Sequence, residues 1–285
     1  MARQGLNDIL LGQLRQAQAA LAGPRVLSDA RVHRARKWLK SARATLRLLR
    51  GLIGSDAFRR TNRALRDVAA PLGAARDAAA LRRTVGALSA REARAAPAAR
   101  VLRRALEREL HSARTRLAPG GAARRGGLVR LAQVERLVRD WPPQSAAALA
   151  SHPAAVLRAV TATYRHGRHC YAAVRGQASD AALHEWRKQS KYLASELRLL
   201  RALRPRRIDS QRRRANRIAD ILGTDHDLAL LRGELLRGRS SAPAMCLLAS
   251  IDRRRASLQA RALAIGGRLY RLAPREFSAQ LRPGT

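Results

Sequence analysis

Apolar residues recur at three- and four-residue spacing along almost all of the 285-residue chain, and alternation of β-branched or aromatic residues is nearly absent. That period places apolar side chains on one face of an α-helix, so the chain is predicted to be all-α. Glycine and proline clusters interrupt the pattern at Gly23-Pro24, Gly51 to Ser55, Ala118 to Gly127, Trp141 to Pro153, Arg204-Pro205 and Gly238 to Pro243. Helices are expected between them, near residues 6–21, 28–50, 57–89 (with a candidate break at Pro71), 97–117, 128–139, 154–175, 179–203, 207–236 and 243–264. A short helical piece follows near the end of the sequence. The uncharged run from Trp141 to Leu157 contains Pro142, Pro143, Gln144 and His152 and reads as a linker. No stretch reaches about 18 uninterrupted apolar residues, so no membrane span is expected.

The pattern repeats. Ser28 to Arg50 aligns with Ser179 to Arg201 at a shift of 151 residues, with 12 identities in 23 positions. Composition bias would produce matches at Ala, Leu and Arg, but here His33 answers His184, Lys37 answers Lys188 and Lys40 answers Lys191. A second echo follows each copy. Asn62-Arg63 and Leu72-Gly73-Ala74-Ala75-Arg76-Asp77 correspond to Asn216-Arg217 and Leu222-Gly223-Thr224-Asp225-His226-Asp227. Internal repetition is the first thing that decides an architecture. The expected organisation is a single domain over 1–285 made of two related helical halves, roughly 1–140 and 150–285.

On each repeated helix, Ser28 or Ser179 is a natural N-cap, and Asp29 or Asp180 then sits where the helix dipole favours a carboxylate. Beyond the cap, His33, Arg36, Lys37, Lys40, Arg43 and Arg47 fall within an arc of roughly 120° on a helical wheel. Val32, Trp38, Leu39, Ala42, Leu46 and Leu49 take the opposite side. In the second copy His184, Arg187, Lys188, Lys191 and Arg198 make the same stripe, with Leu183, Trp186, Leu193, Leu197 and Leu200 opposite. Each stripe is a cationic track about 20 Å long. Acids at i,i+4 that would neutralise it are missing from the stripe, so its charges repel one another. His33 and His184 admit two readings, a structural histidine near a helix start or an imidazole donating to an anion. No second His, Cys or carboxylate stands at i+3 or i+4 of either, which disfavours a metal. Asp77 and Asp227 are expected to orient arginines rather than to catalyse. Leu72-Gly73 and Leu222-Gly223 mark close helix contacts or helix breaks.

Charge sharpens the picture. The chain has 58 Lys+Arg against 20 Asp+Glu, a formal net charge of +38. With 46% apolar residues it can bury a core, so it is not a disordered basic tail. A folded surface this positive points to a polyanionic partner. The lysines number four among the 58 cations, and all four occupy matched stripe positions. Cys170 and Cys246 are expected to be ordinary buried thiols in a reducing compartment. The polar N-terminal segment has no signal-like apolar core, which fits a soluble cytoplasmic protein.

The doubled His-x-x-Arg-Lys-x-x-Lys pattern, each followed by Leu-Gly-x-x-x-Asp, resembles the CHAD family, the conserved histidine α-helical domain. The resemblance runs from about Leu6 to about Leu272. It implies two helical bundles related by a pseudo-twofold, with a basic cavity between them that binds inorganic polyphosphate, and an association of some members with polyphosphate granules. By that resemblance the cavity residues are His33, Arg36, Lys37, Lys40, Arg43, Arg47, His184, Arg187, Lys188, Lys191 and Arg198, with Arg63 and Arg217 in a second row. Members are often fused to a CYTH triphosphatase domain, whose Glu-x-Glu-x-Lys motif is absent, so the chain looks like a stand-alone member. Ser41, Tyr192 and Ala194 depart from the family's run of basic residues and thin the stripes, the second most.

A nucleic-acid-binding protein is the main rival, because +38 would attract any phosphate polymer. No reader motif supports it, and Trp38 and Trp186 fall on apolar faces rather than forming stacking platforms. A helical scaffold for a protein partner ranks third. An enzyme is disfavoured, since no carboxylate cluster exists to hold Mg²⁺ for phosphoryl chemistry, and no cofactor or metal is expected.

Overall fold

A computed structural model describes residues 5–23, 26–90, 96–141, 153–200, 205–237 and 242–282. Among the described residues the chain forms ten α-helices and no β-strand. They are α1 (Leu6–Leu21), α2 (Asp29–Ile53), α3 (Ser55–Ser89), α4 (Ala96–Arg116), α5 (Ala122–Arg139), α6 (Pro153–Gly176), α7 (Asp180–Leu200), α8 (Pro205–Arg237), α9 (Ala242–Leu269) and α10 (Pro274–Leu281). The expected linker at 142–152, the breaks at Pro24, Arg204 and 238–241, the N-terminal residues 1–4, and Arg201 of the repeat lie outside the described residues. No helix among those described is long and apolar enough to cross a membrane.

Two compact units contain these helices, and each draws on separate stretches of chain. One comprises Met1–Arg76, His111–Ala162 and Ser278–Thr285, and the other Asp77–Leu110 and Thr163–Phe277. In the first, α1 packs on α2 and α5. Leu10 and Leu14 of α1 and Leu39, Leu46 and Leu49 of α2 are all fully buried. In the second, α8 packs against both α7 and α9. Trp186, Tyr164 and Phe277 are the largest side chains buried there. The rings of Tyr164 and Phe277 stack at 3.9 Å between centroids, and the Tyr164 hydroxyl donates to the Leu272 carbonyl at 2.9 Å.

Both repeated helices begin as their sequences dictate. The Ser28 hydroxyl accepts from the Arg31 amide at 3.3 Å, and the Ser179 hydroxyl accepts from the Ala182 amide at 3.1 Å. Each first-turn carboxylate also reaches another helix: Asp29 pairs with Arg114 at 2.8 Å, and Asp180 pairs with Arg255.

Four boundaries differ from expectation. α2 runs on to Ile53, and the break narrows to Gly54, whose φ of 80° is left-handed and suits glycine. Pro71 does not divide α3, which is continuous from Ser55 to Ser89; the ring removes one amide donor, and burial of Leu65, Val68, Leu72 and Ala75 around it compensates. α5 starts at Ala122, ahead of Gly126-Gly127, because tertiary contacts outweigh glycine's low helix propensity. Arg124 sits there at 4% exposure and donates to the carbonyls of Leu21 (2.7 Å) and Gly23, while Gly127 backs onto Val68. α9 extends to Leu269, past the expected end near residue 264. Two side chains are also less buried than expected. Trp38 is half-buried rather than in the core, and Cys246 is half-buried, whereas Cys170 is buried and burial pushes its thiol pKa up.

Arg31 joins Arg124 at the C-terminal end of α1. Its Nε donates to the Ala20 carbonyl at 3.1 Å and its Nη2 to the Ala19 carbonyl at 3.2 Å. Guanidinium groups thus satisfy carbonyls that a helix end leaves open. Arg124→Met is expected to cost about 2–3 kcal/mol of folding stability, since a charge-assisted donor to buried carbonyls is lost. Chemical denaturation followed by circular dichroism measures it, and a change within error of zero would show that the cap is dispensable.

Candidate functional site

The first stripe lies on the part of α2 that the core leaves open. His33, Lys37 and Lys40 are exposed, and Arg36, Arg43 and Arg47 are half-buried, while Leu39, Ser41, Ala42, Ala44, Thr45, Leu46, Leu48 and Leu49 are buried around them. Burial thus tightens around the stripe towards its C-terminal end. Arg43 donates Nε to the Asn62 side-chain oxygen at 3.0 Å, which ties the stripe to the Asn62-Arg63 echo on α3. Arg63 itself is exposed and forms no ion pair or hydrogen bond among the described residues.

The second stripe lies on α7, in the second unit. His184, Arg187, Lys188 and Lys191 are half-buried and Arg198 is exposed. A residue that the sequence did not single out joins them: His226 of α8, whose ring centroid is 4.7 Å from that of His184. Burial lowers the His226 pKa to about 4, with Arg187 and His184 pushing the same way and Asp77 opposing. His184 is lowered too, first by burial and then by Arg187 and Lys188, and its Nδ1 is buried with no hydrogen-bond partner among the described residues. Both imidazoles are therefore neutral near pH 7, and they lie in a positive local field. Gly223 of the second Leu-Gly element approaches Arg187 closely, since a Cβ placed there would lie 3.5 Å from its Nε. Both Leu-Gly elements sit inside continuous helices, so neither is a helix break, and the second makes the close contact at Gly223.

The stripes are not copies in detail. Lys188 has a carboxylate partner: its Nζ lies 2.6 Å from Glu185 Oε2, an i,i+3 pair that corrects the expectation of an unneutralised stripe. Glu185 points off the wheel's cationic arc, and the lysine follows it. Burial alone would raise the Glu185 carboxyl, but hydrogen bonds from Lys188 and Gln189 hold it below the ordinary range. At the place of Arg43 the second copy has Ala194, which is buried, so Asn216 donates instead to Asp220 at 2.8 Å. Arg217 is exposed, with no ion pair or hydrogen bond among the described residues.

Asp225 is the other residue that sequence reasoning missed. It is 2% exposed and accepts from Arg255 Nε and Gln259 Nε2, both at 3.0 Å. Arg255 joins it to Asp180, the first-turn acid of the second stripe helix. The missed signal was a second acid in Leu222-Gly223-Thr224-Asp225-His226-Asp227, next to one of only seven histidines. Among the described residues no group of three or more His, Cys, Asp or Glu side chains could hold a metal ion.

Comparison with known proteins places this arrangement. The family model described as CHAD domain matches residues 8–236, a span that holds both stripes and both Leu-Gly elements. The chain belongs to the CHAD family. That family is associated with polyphosphate binding in general. The fold of this CHAD protein is similar to that of PptA from Streptomyces chartreusis, with a TM-score of 0.59 and 18% identity, over 93% of this chain and 96% of that one. No curated protein matches its sequence.

The neutral state of His226 links folding to pH. Its folded pKa, about 4, lies below the ordinary histidine value of 6.5, so the unfolded state takes up a proton first as pH falls. The stabilising contribution is complete above pH 6.5 and is lost between there and about 4. His226→Asn is expected to show a shallower decline of stability across that window than the parent protein. Equal slopes in denaturation experiments at stepped pH would contradict it.

Proposed function

We propose that this protein binds inorganic polyphosphate in the cytoplasm, at polyphosphate granules, as a binding protein rather than an enzyme, with the cationic residues of each stripe as phosphate contacts. The observation that carries the reading is the second-stripe cluster, where the His184 and His226 rings lie 4.7 Å apart and both imidazoles have lowered pKa values, first through burial and then through Arg187, with Lys191 acting in the same direction. Such a site is built to accept negative charge, because an arriving anion relieves repulsion that the free protein tolerates. Polyphosphate is a flexible chain with about one charge per phosphate and neither base nor sugar, so charge and donor geometry must carry recognition. Arginine forks and compact lysine ammonium groups both suit its oxygens. The family's general association with polyphosphate supports the choice among polyanions.

A competition experiment tests it. Labelled long-chain polyphosphate and a length-matched oligonucleotide are titrated at about 0.15 M salt, where remote charges are largely screened. Polyphosphate is expected to bind tighter, and equal affinities would favour a nonspecific nucleic-acid binder. The double variant Lys40→Glu with Lys191→Glu is expected to lose binding by more than about tenfold while retaining its helical circular dichroism. Unchanged binding would show that the stripes are not the site. Because bound phosphate raises the pKa of a neighbouring imidazole, affinity is further expected to rise as pH falls from 7 to 5. His184→Asn with His226→Asn is expected to flatten that rise, and a pH-independent affinity in the parent protein would remove the histidines from the site.

A further inference from the structure

We propose that the second unit carries a separate anion site, a cavity between α6 and the segment that follows α9, which takes a short oligophosphate group. The cavity has a volume of about 560 Å³. That is within the range of small-ligand sites and far too small to enclose a folded partner. Its wall on α6 is built by Arg165, Arg168, His169 and Arg175, and Arg271 closes it from the far side. Positions 165, 168, 169, 172 and 175 follow the three- and four-residue spacing that puts side chains on one helix face. Among the described residues no carboxylate lines the cavity. Arg165, Arg175 and Arg271 are exposed and form no ion pair among the described residues.

Two features distinguish this cluster from an ordinary solvated face. The first is that part of it is held in place. Arg168 donates Nε to the Tyr270 carbonyl at 3.3 Å, which leaves the outer nitrogens of its fork for a ligand. The Arg175 guanidinium lies 5.8 Å from the centroid of the Tyr171 ring, at stacking range. The second is that the space is kept open by small residues. Ala172 contributes one methyl group to the lining, and a Cβ at Gly267 would come within 3.2 Å of the Tyr171 hydroxyl. Beneath them Tyr270 is buried and forms an aromatic floor with Tyr171, their centroids 5.7 Å apart.

The cavity shares no residue with the second stripe. Tyr171 leans on Trp186, on the apolar side of α7, whereas the stripe runs along the other side of that helix. Gly267, Tyr270 and Arg271 also lie beyond the 8–236 span that the family model matches. The helix ahead of the first stripe, α1, carries only Asp8 and Arg15 as charged residues, so the duplicated pattern does not account for this cluster. Converging guanidinium forks without a carboxylate fit a compact group with several phosphate oxygens. Such a group could be the end of a polyphosphate chain or the oligophosphate of a nucleotide.

The test measures equilibrium binding of inorganic tripolyphosphate, ATP and AMP to the full chain at about 0.15 M salt. Ala172→Trp fills the cavity without altering charge, and Arg165→Gln with Arg271→Gln removes two cations from its wall. Arg253→Gln with Arg254→Gln removes two exposed cations elsewhere and calibrates the general field. Tripolyphosphate affinity is expected to fall at least about tenfold in both cavity variants and to change little in the control. AMP is expected to bind weakly. ATP binding as well as tripolyphosphate would identify a nucleotide as an acceptable source, and tripolyphosphate alone would identify a chain end. Parent-like affinity in Ala172→Trp with unchanged circular dichroism would overturn the proposal. So would a control variant that weakens as much as the arginine pair, which also covers the case in which the tryptophan disturbs folding. Long-chain binding that falls in Lys40→Glu with Lys191→Glu but stays near the parent's in the cavity variants separates the two sites.

Discussion

Carboxylates are in short supply in this protein, with 20 for 58 cations, and their placement decides which cations are structural. Asp29 ties the start of α2 to Arg114, and Arg255 ties the exposed Asp180 at the start of α7 to the almost fully buried Asp225. Removing one member of such a network would leave a buried charge without its counterpart, which is far costlier than losing a surface pair. The acids thus anchor the N-terminal ends of the two repeated helices. Glu185 reaches into the second stripe, where it engages Lys188.

Other arginines are satisfied without acids. At the end of α1, Arg31 and Arg124 give their protons to backbone carbonyls, and near the end of α9 the Tyr164 hydroxyl and Arg168 do the same for Leu269, Leu272 and Tyr270. Arginine is suited to this, since its planar fork bridges two carbonyls and never deprotonates. The composition therefore overstates the charge available for binding. Part of the +38 is built into helix ends.

Local signals were legible in the sequence and distant ones were not. Ser28 and Ser179 act within three residues of themselves, so their caps could be read directly. The stripe followed from helical period alone, and burial matches it except at Trp38. Gly126-Gly127 misled because Arg124 and Gly127 make contacts with residues about a hundred positions away. Lys188 misled because a wheel drawn from the cations ignored Glu185 beside them. His226 stayed hidden for the plainest reason: it meets His184 across 42 positions of chain, and no spacing rule spans that distance. Repetition identified where charge would gather, while the partners of each charge came from tertiary packing.

The arginine caps at the end of α1 carry a practical consequence. Hydrogen bonds to neutral carbonyls involve no mobile counterion, whereas a polyanion held by exposed cations competes with every dissolved salt ion. Ionic strength therefore acts on the two populations of arginine differently. A concentrated salt solution is expected to weaken any polyanion held by the exposed cations while leaving these caps intact, so that release would require no unfolding of the scaffold.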